Sequence, residues 1–249
     1  MENIIALIEN TVNVPTKYGP MPSFTAVPDA PGDFPAIIFY MDAPGFREEL
    51  CNMARRIAKR GYYCILPDMY YRLGTIRFDL ARRNDGMSKV VMAAMDHLTN
   101  ADIVDDTAGL LAYIDAQDKA SPGPVGCVGH CISGRYIVTV AAHFPTRIVA
   151  AASMYGVGIV TQEEDSPHLI LDKVQGELYF FFAEVDAHVP DQVIVDLKAA
   201  FARHGVKNTL EIVPGTQHGY QFAERAVYAP VQAEAAWDTL FDIWDRNLK

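Results

Sequence analysis

Short unbroken apolar runs alternate along this chain with longer stretches of helical period, and that alternation restricts the fold more than any other feature. Ala36 to Met41 (AIIFYM) runs between Pro35 and the turn Ala43-Pro44-Gly45. Phe46 to Arg60 follows, with Leu50, Met53, Ala54, Ile57 and Ala58 on one helical face and Gly61 as its stop. Tyr62 to Leu66, Val125 to Val128, Ile148 to Met154, Glu177 to Ala183 (ELYFFFA) and Thr209 to Val213 read as further strands. Helices are predicted over 88–98, 101–117, 133–143, 190–204 and 231–247; the helix over 190–204 is opened by Pro190 and closed by Gly205. The Pro-rich opening of the chain is predicted to hold two short antiparallel edge strands around Lys17-Tyr18-Gly19. Strands apolar on both faces and alternating with helices imply a mostly parallel sheet flanked by helices. Right-handed crossovers then give a doubly wound α/β domain. No repeat, low-complexity tract or Gly/Ser linker interrupts the pattern, so one domain over 1–249 is expected.

Charge and composition exclude several classes of function. Lys and Arg number 21 against 31 Asp and Glu, a formal net charge of −10. Nucleic acids and anionic membranes reward positive charge, so neither is an expected partner. No run approaches the length of a membrane span. The start, Met1-Glu2-Asn3, lacks a basic leader region, and four cysteines in a chain of 249 residues read as reduced thiols; a cytoplasmic location is expected. Nothing resembles a heptad or a self-complementary patch, and a monomer is expected.

In a doubly wound sheet, ligands bind beyond the carboxyl ends of the strands. There the run Val125–Val128 leads into Gly129-His130-Cys131-Ile132-Ser133-Gly134 and then a helix. A nucleophile at the apex of a strand–turn–helix needs small residues two before and two after it, because strand and helix approach closely. Gly129 meets this demand; Ser133 stands where glycine is usual, and Gly134 comes one later. A thiol at that apex gains from the helix dipole, and the Ile132 N–H can face an oxyanion. A thiol nucleophile also needs a base and a group to orient it. Asp186 follows the run ELYFFFA and His218 follows TLEIV, in the chain order nucleophile, acid, histidine. Cys51, Cys64 and Cys127 lie inside elements and read as small core residues. Cys127 with Cys131 makes a poor redox or zinc pair, since no second cysteine pair completes it. His130, Glu184 and His188 are weaker candidates near the same loops.

These stretches, together with Leu66-Pro67-Asp68-Met69-Tyr70-Tyr71-Arg72 and His218-Gly219-Tyr220, resemble the dienelactone hydrolase family, the cysteine branch of the α/β-hydrolase fold. The similarity runs from about Phe34 to the C-terminus. The resemblance implies hydrolysis of ester or lactone bonds through a Cys131–His218–Asp186 triad and an acyl-thioester, with a small-molecule ester or lactone as substrate and no metal or organic cofactor. It also implies a second oxyanion donor, the backbone N–H of Ala43. Asp42 stands where the family carries a thiol-activating Glu, and as a loop residue it is equally suited to an Asx turn. Arg72 matches a family arginine that pairs with a substrate carboxylate. Phe222 replaces a second such arginine, which favours an apolar or aryl group over dienelactone itself. Tyr70, Tyr71, Met87, Tyr155 and Phe222 are placed by position around the pocket. Two other functions fit the same scaffold: a broad aryl esterase with promiscuous phosphotriester hydrolysis, and a binding protein without catalysis.

Overall fold

The architecture is α/β, a mostly parallel eight-stranded sheet flanked by helices with an antiparallel pair at its start. The computed structural model describes residues 5–249, so residues 1–4, read above for a leader, lie outside it. The chain divides into two compact units, Met1–Val125 and Gly126–Lys249.

In the first unit β1 (Leu7–Thr16) and β2 (Gly19–Pro28) pair antiparallel from Leu7↔Pro28 to Thr16↔Gly19. At 10 residues each they are longer than the short edge strands the sequence suggests. Their prolines are tolerated by position. β2 is paired on both sides only where Ser23–Ala26 meets Pro67–Cys64, and no β2 proline falls in that stretch. β3 (Ala36–Tyr40) and β4 (Tyr63–Pro67) are parallel neighbours, giving the order β1-β2-β4-β3. Helix α1 (Glu48–Lys59) packs on β2 and β4 with the predicted apolar face buried. Glu48 and Glu49 in its first turn and Arg56 and Lys59 in its last complement its dipole. Helix α2 (Asp85–Asp96) starts earlier than its apolar period suggests, because Asn84 caps it by accepting from the Met87 N–H at 3.0 Å. Thr99 caps α3 (Asn100–Asp115) in the same way, and α3 packs on β1.

In the second unit the order is β5 (Val125–His130), β6 (Ile148–Met154), β7 (Glu177–Val185), β8 (Asn208–Gln217), and β6, β7 and β8 are parallel. Helix α4 (Gly134–His143) covers β6, as does α6 (Pro230–Leu248). Helix α5 (Asp191–His204) ends at Gly205 in the left-handed conformation, as its sequence predicts. Phe180, Phe181, Phe182, Tyr136, Leu240 and Trp244 fill this core, each at most 1% exposed. Among the described residues no helix is long and apolar enough to cross a membrane.

Candidate active site

The thiol turn forms where β5 stops. His130 is still extended, and Cys131 turns left-handed at φ +55 before one 3-10 turn over Cys131–Ser133 leads into α4. A side chain in that conformation costs about 1–3 kcal/mol, so its surroundings must hold it there. Close backbone contacts do so. A Cβ on Gly129 would fall 2.5 Å from the Ser133 carbonyl oxygen, and one on Gly134 would fall 2.2 Å from Cα of Gly156. The Val157 N–H donates to the Cys131 carbonyl at 3.0 Å. The closest approach is therefore at Gly134, one residue later than the usual pattern, and Ser133 is tolerated as a fully buried small side chain.

Asp186 and His218 come from the ends of adjacent strands. Asp186 directly follows β7, and its Oδ1 accepts the His188 N–H at 2.9 Å, an Asx turn that fixes the carboxylate. Its Oδ2 lies 2.8 Å from Nδ1 of His218, the first residue after β8. The side chains are 3% and 12% exposed. Glu184 ties these two strand ends together: its carboxylate accepts the Gly215 N–H at 2.8 Å, and its own N–H donates to Thr216 Oγ1 at 3.3 Å.

The imidazole of His218 is held between opposing influences. Burial disfavours its charged form, but the Asp186 hydrogen bond, the Cys131 thiol and the charges of both outweigh burial and lift it to about 9. Its buried Nε2 has no partner besides the Cys131 thiol. Tyr155, itself at φ +40 and fully buried, lies edge-on to this ring with centroids 5.0 Å apart, and His188 does so from an exposed position at 4.8 Å. Cys131 is the one partly accessible cysteine; Cys51, Cys64 and Cys127 are buried. Burial pushes the Cys51 thiol up to about 11 and raises Cys64 and Cys127 as well, which makes all three poor nucleophiles. The three residues predicted from strand ends thus come together in one cluster.

The other predicted residues are already engaged elsewhere. Phe222 is fully buried, tilted on His130 at 5.3 Å with the Arg225 guanidinium 4.6 Å from its ring. Ile132, directly after the thiol, is buried. In the first unit Asp42 is fully buried in a two-pronged ion pair with Arg47, Nη1–Oδ1 2.5 Å and Nη2–Oδ2 3.1 Å. The carbonyl of Ala43 accepts the Tyr70 hydroxyl at 2.7 Å. Arg72 forks onto Asp106 through both Nη atoms at 2.8 Å, and the Tyr18 and Tyr71 rings flank it at 4.2 and 4.8 Å. Tyr71 adds a hydrogen bond to Asp106 at 2.7 Å. Sequence reasoning did not foresee Arg47 or Asp106 as partners. The second lies 34 residues from Arg72, and no periodicity signals such a contact.

A strand–turn–helix apex with a thiol, followed at later strand ends by a carboxylate and a histidine in contact, defines the class of α/β hydrolases. Residues 21–248 match the model of the dienelactone hydrolase family, and the chain belongs to that family of hydrolases, whose substrates are small molecules. A relative from Synechocystis sp. described as "Putative carboxymethylenebutenolidase" is 29% identical over 96% of both chains. The crystal structure of a "Putative Dienelactone Hydrolase" from Klebsiella pneumoniae superposes with a TM-score of 0.85 at 22% identity, covering 97% of this chain and 99% of that one. A dienelactone hydrolase-like promiscuous phosphotriesterase, P91 from metagenomic libraries, superposes at 0.81 with 16% identity over 98% of this chain and 100% of the other.

Proposed function

We propose that the chain hydrolyses carboxylic ester or lactone bonds of small molecules through a Cys131–His218–Asp186 triad. The observation that carries this reading is the His218 imidazole, bonded to Asp186 through Nδ1 while its buried Nε2 has no partner besides the Cys131 thiol, which raises its pKa. Asp186 holds the tautomer and supports the imidazolium. Cys131 Sγ attacks the carbonyl carbon with its proton held on His218 Nε2, which a value of about 9 keeps protonated at neutral pH. The Ile132 N–H donates to the oxyanion. Collapse of the tetrahedral intermediate breaks the bond to the alkoxide, which leaves with the proton from His218, and the acyl group remains on sulfur as a thioester. Water then gives a proton to His218 and attacks the thioester, and the Cys131 thiol is restored as the acid departs.

The test is p-nitrophenyl acetate turnover by the native chain, by the chain alkylated with iodoacetamide, and by Cys131→Ala. The reading expects activity in the first and none above background in the other two. Full turnover by Cys131→Ala would sink it.

A further inference from the structure

A buried polar contact joins the thiol turn to the loop that carries His218, and the triad chemistry does not call for it. His130 Nε2 and Gln221 Oε1 are 2.9 Å apart across 91 residues of sequence. His130 is fully buried and Gln221 is 4% exposed. His130 is the last residue of β5, directly before Cys131, and Gln221 lies on the turn just after His218. An amide oxygen only accepts, so His130 carries a proton on Nε2 in this contact. Phe222 and Tyr155 close on the His130 ring at 5.3 and 5.8 Å, and the same Tyr155 packs edge-on to His218 at 5.0 Å.

Packing does not account for Gln221. Its amide nitrogen is buried without a hydrogen-bond partner. A Leu or Met of similar size would fill the space without that penalty. The retained half of the amide, its oxygen, bonds the residue that sets the path of the chain into Cys131. The other end of the contact sets the path of the chain out of His218. We propose that the His130–Gln221 hydrogen bond is a positioning link that sets the separation of Cys131 Sγ and His218 Nε2. The link rests on the triad reading above. Neither residue touches the reacting atoms; each acts through the backbone of its neighbour. His218 faces Asp186, Cys131 and His188, so a change in separation alters the part that Cys131 plays in raising the imidazole.

The experiment compares Gln221→Leu, Gln221→Glu, His130→Phe and the double variant Gln221→Leu/His130→Phe, each with its Tm. Read-outs are kcat and KM for p-nitrophenyl acetate and the pH dependence of Cys131 alkylation by iodoacetamide. In Gln221→Leu, kcat is expected to fall about tenfold to a hundredfold with KM little changed, the usual cost of a small misplacement. The alkylation profile is expected to shift by about half a pH unit or more. His130→Phe should do the same, and the double variant should be no worse than the worse single one, because both remove one interaction. Gln221→Glu keeps an acceptor oxygen and should keep kcat within about threefold of the native chain. A folded Gln221→Leu with native kcat and alkylation profile overturns the link, as do losses that add in the double variant. If Gln221→Leu does not fold, His130→Phe carries the same expectation and the same refutation. Cys131→Ala run in parallel separates the two ideas: turnover there defeats the triad, whereas an inactive Cys131→Ala beside a native-like Gln221→Leu defeats the link alone.

Discussion

Asp186 and Asp106 are both nearly buried carboxylates with strong partners, yet they end in different chemistry. Asp186 takes a backbone N–H on one oxygen and His218 on the other, and the far nitrogen of that imidazole has no partner besides the Cys131 thiol. Asp106 takes both prongs of Arg72 and the Tyr71 hydroxyl, and Tyr71 in turn meets Thr16 Oγ1 at 2.7 Å. One network runs out at a ring nitrogen beside a thiol; the other fills both Asp106 oxygens and leaves over a guanidinium N–H, that of Arg72 Nε. Burial and charge are alike in the two, so neither tells them apart. What distinguishes them is the kind of atom left over: beside Asp186 it is an imidazole nitrogen that can take up and release a proton, beside Asp106 a guanidinium N–H that only donates.

The same contrast appears along a single strand. At the start of β7, Glu177 is bound by Arg246, Lys207 and Asn247 and lies low, at about 2, because these partners outweigh the burial that would raise it. At the end of β7 stands Asp186 with His218. A parallel sheet places ligand sites beyond the carboxyl ends of its strands, the end at which Asp186 stands.

The largest expected effect breaks the Asp186 network. Cys131→Ala should lower turnover by about 10⁴-fold or more, and Asp186→Asn by about 10²- to 10⁴-fold, with KM little changed in the latter, measured as steady-state ester hydrolysis. Breaking the Asp106 network should act on stability instead. Arg72→Ala strands the Asp106 carboxylate and should cost about 3 kcal/mol in urea unfolding. The ratio of kcat/KM for a neutral aryl ester to that for one bearing a carboxylate should stay where it was. A collapse of activity on the carboxylate ester alone would show that Arg72 serves the substrate and that the contrast with Asp186 is false. Glu177→Gln should cost about 2 kcal/mol and leave kcat unchanged, since its partners are partly solvated. Its effect should disappear in acid: a carboxylate held below its ordinary value stabilises the fold above that value and ceases to do so as pH falls through about 2.

The smallest effect sharpens the Asp186 network by its pH dependence. His218 is raised from an ordinary 6.5 to about 9. Stabilisation from its protonation is complete below about 6.5 and is lost as pH rises through about 9. A Tm profile across that interval should fall less steeply for His218→Gln than for the native chain. Parallel profiles would mean that the imidazole is not held charged by Asp186 and Cys131.

Much of this was legible in the sequence because it depends on local signals. β6 spans Ile148–Met154 as its apolar run predicts, and α5 stops at Gly205 as its cap predicts. Cys131, Asp186 and His218 were found because each follows directly on a strand, so element order alone brings them to one end of the sheet. Strand lengths were less legible. β8 was expected to end at Val213 before Pro214-Gly215, yet it continues to Gln217 past an irregularity opposite Ala183 and Val185. β8 pairs with β7 alone, and on an outermost strand a proline's missing N–H is tolerated. Arg47 on Asp42, Asp106 on Arg72 and Gln221 on His130 were not legible. Each is a meeting of side chains set by packing rather than by period or motif, and the last two join residues far apart in the chain.

The most direct test of the central claim is to quench the chain during a p-nitrophenyl acetate burst, weigh it intact and map the peptide that carries the label. The account predicts one acetyl group per chain on the peptide containing Cys131, absent after prior iodoacetamide treatment and stabilised in Asp186→Asn. Turnover with no acetyl on Cys131, or with the acetyl on another residue, would contradict it.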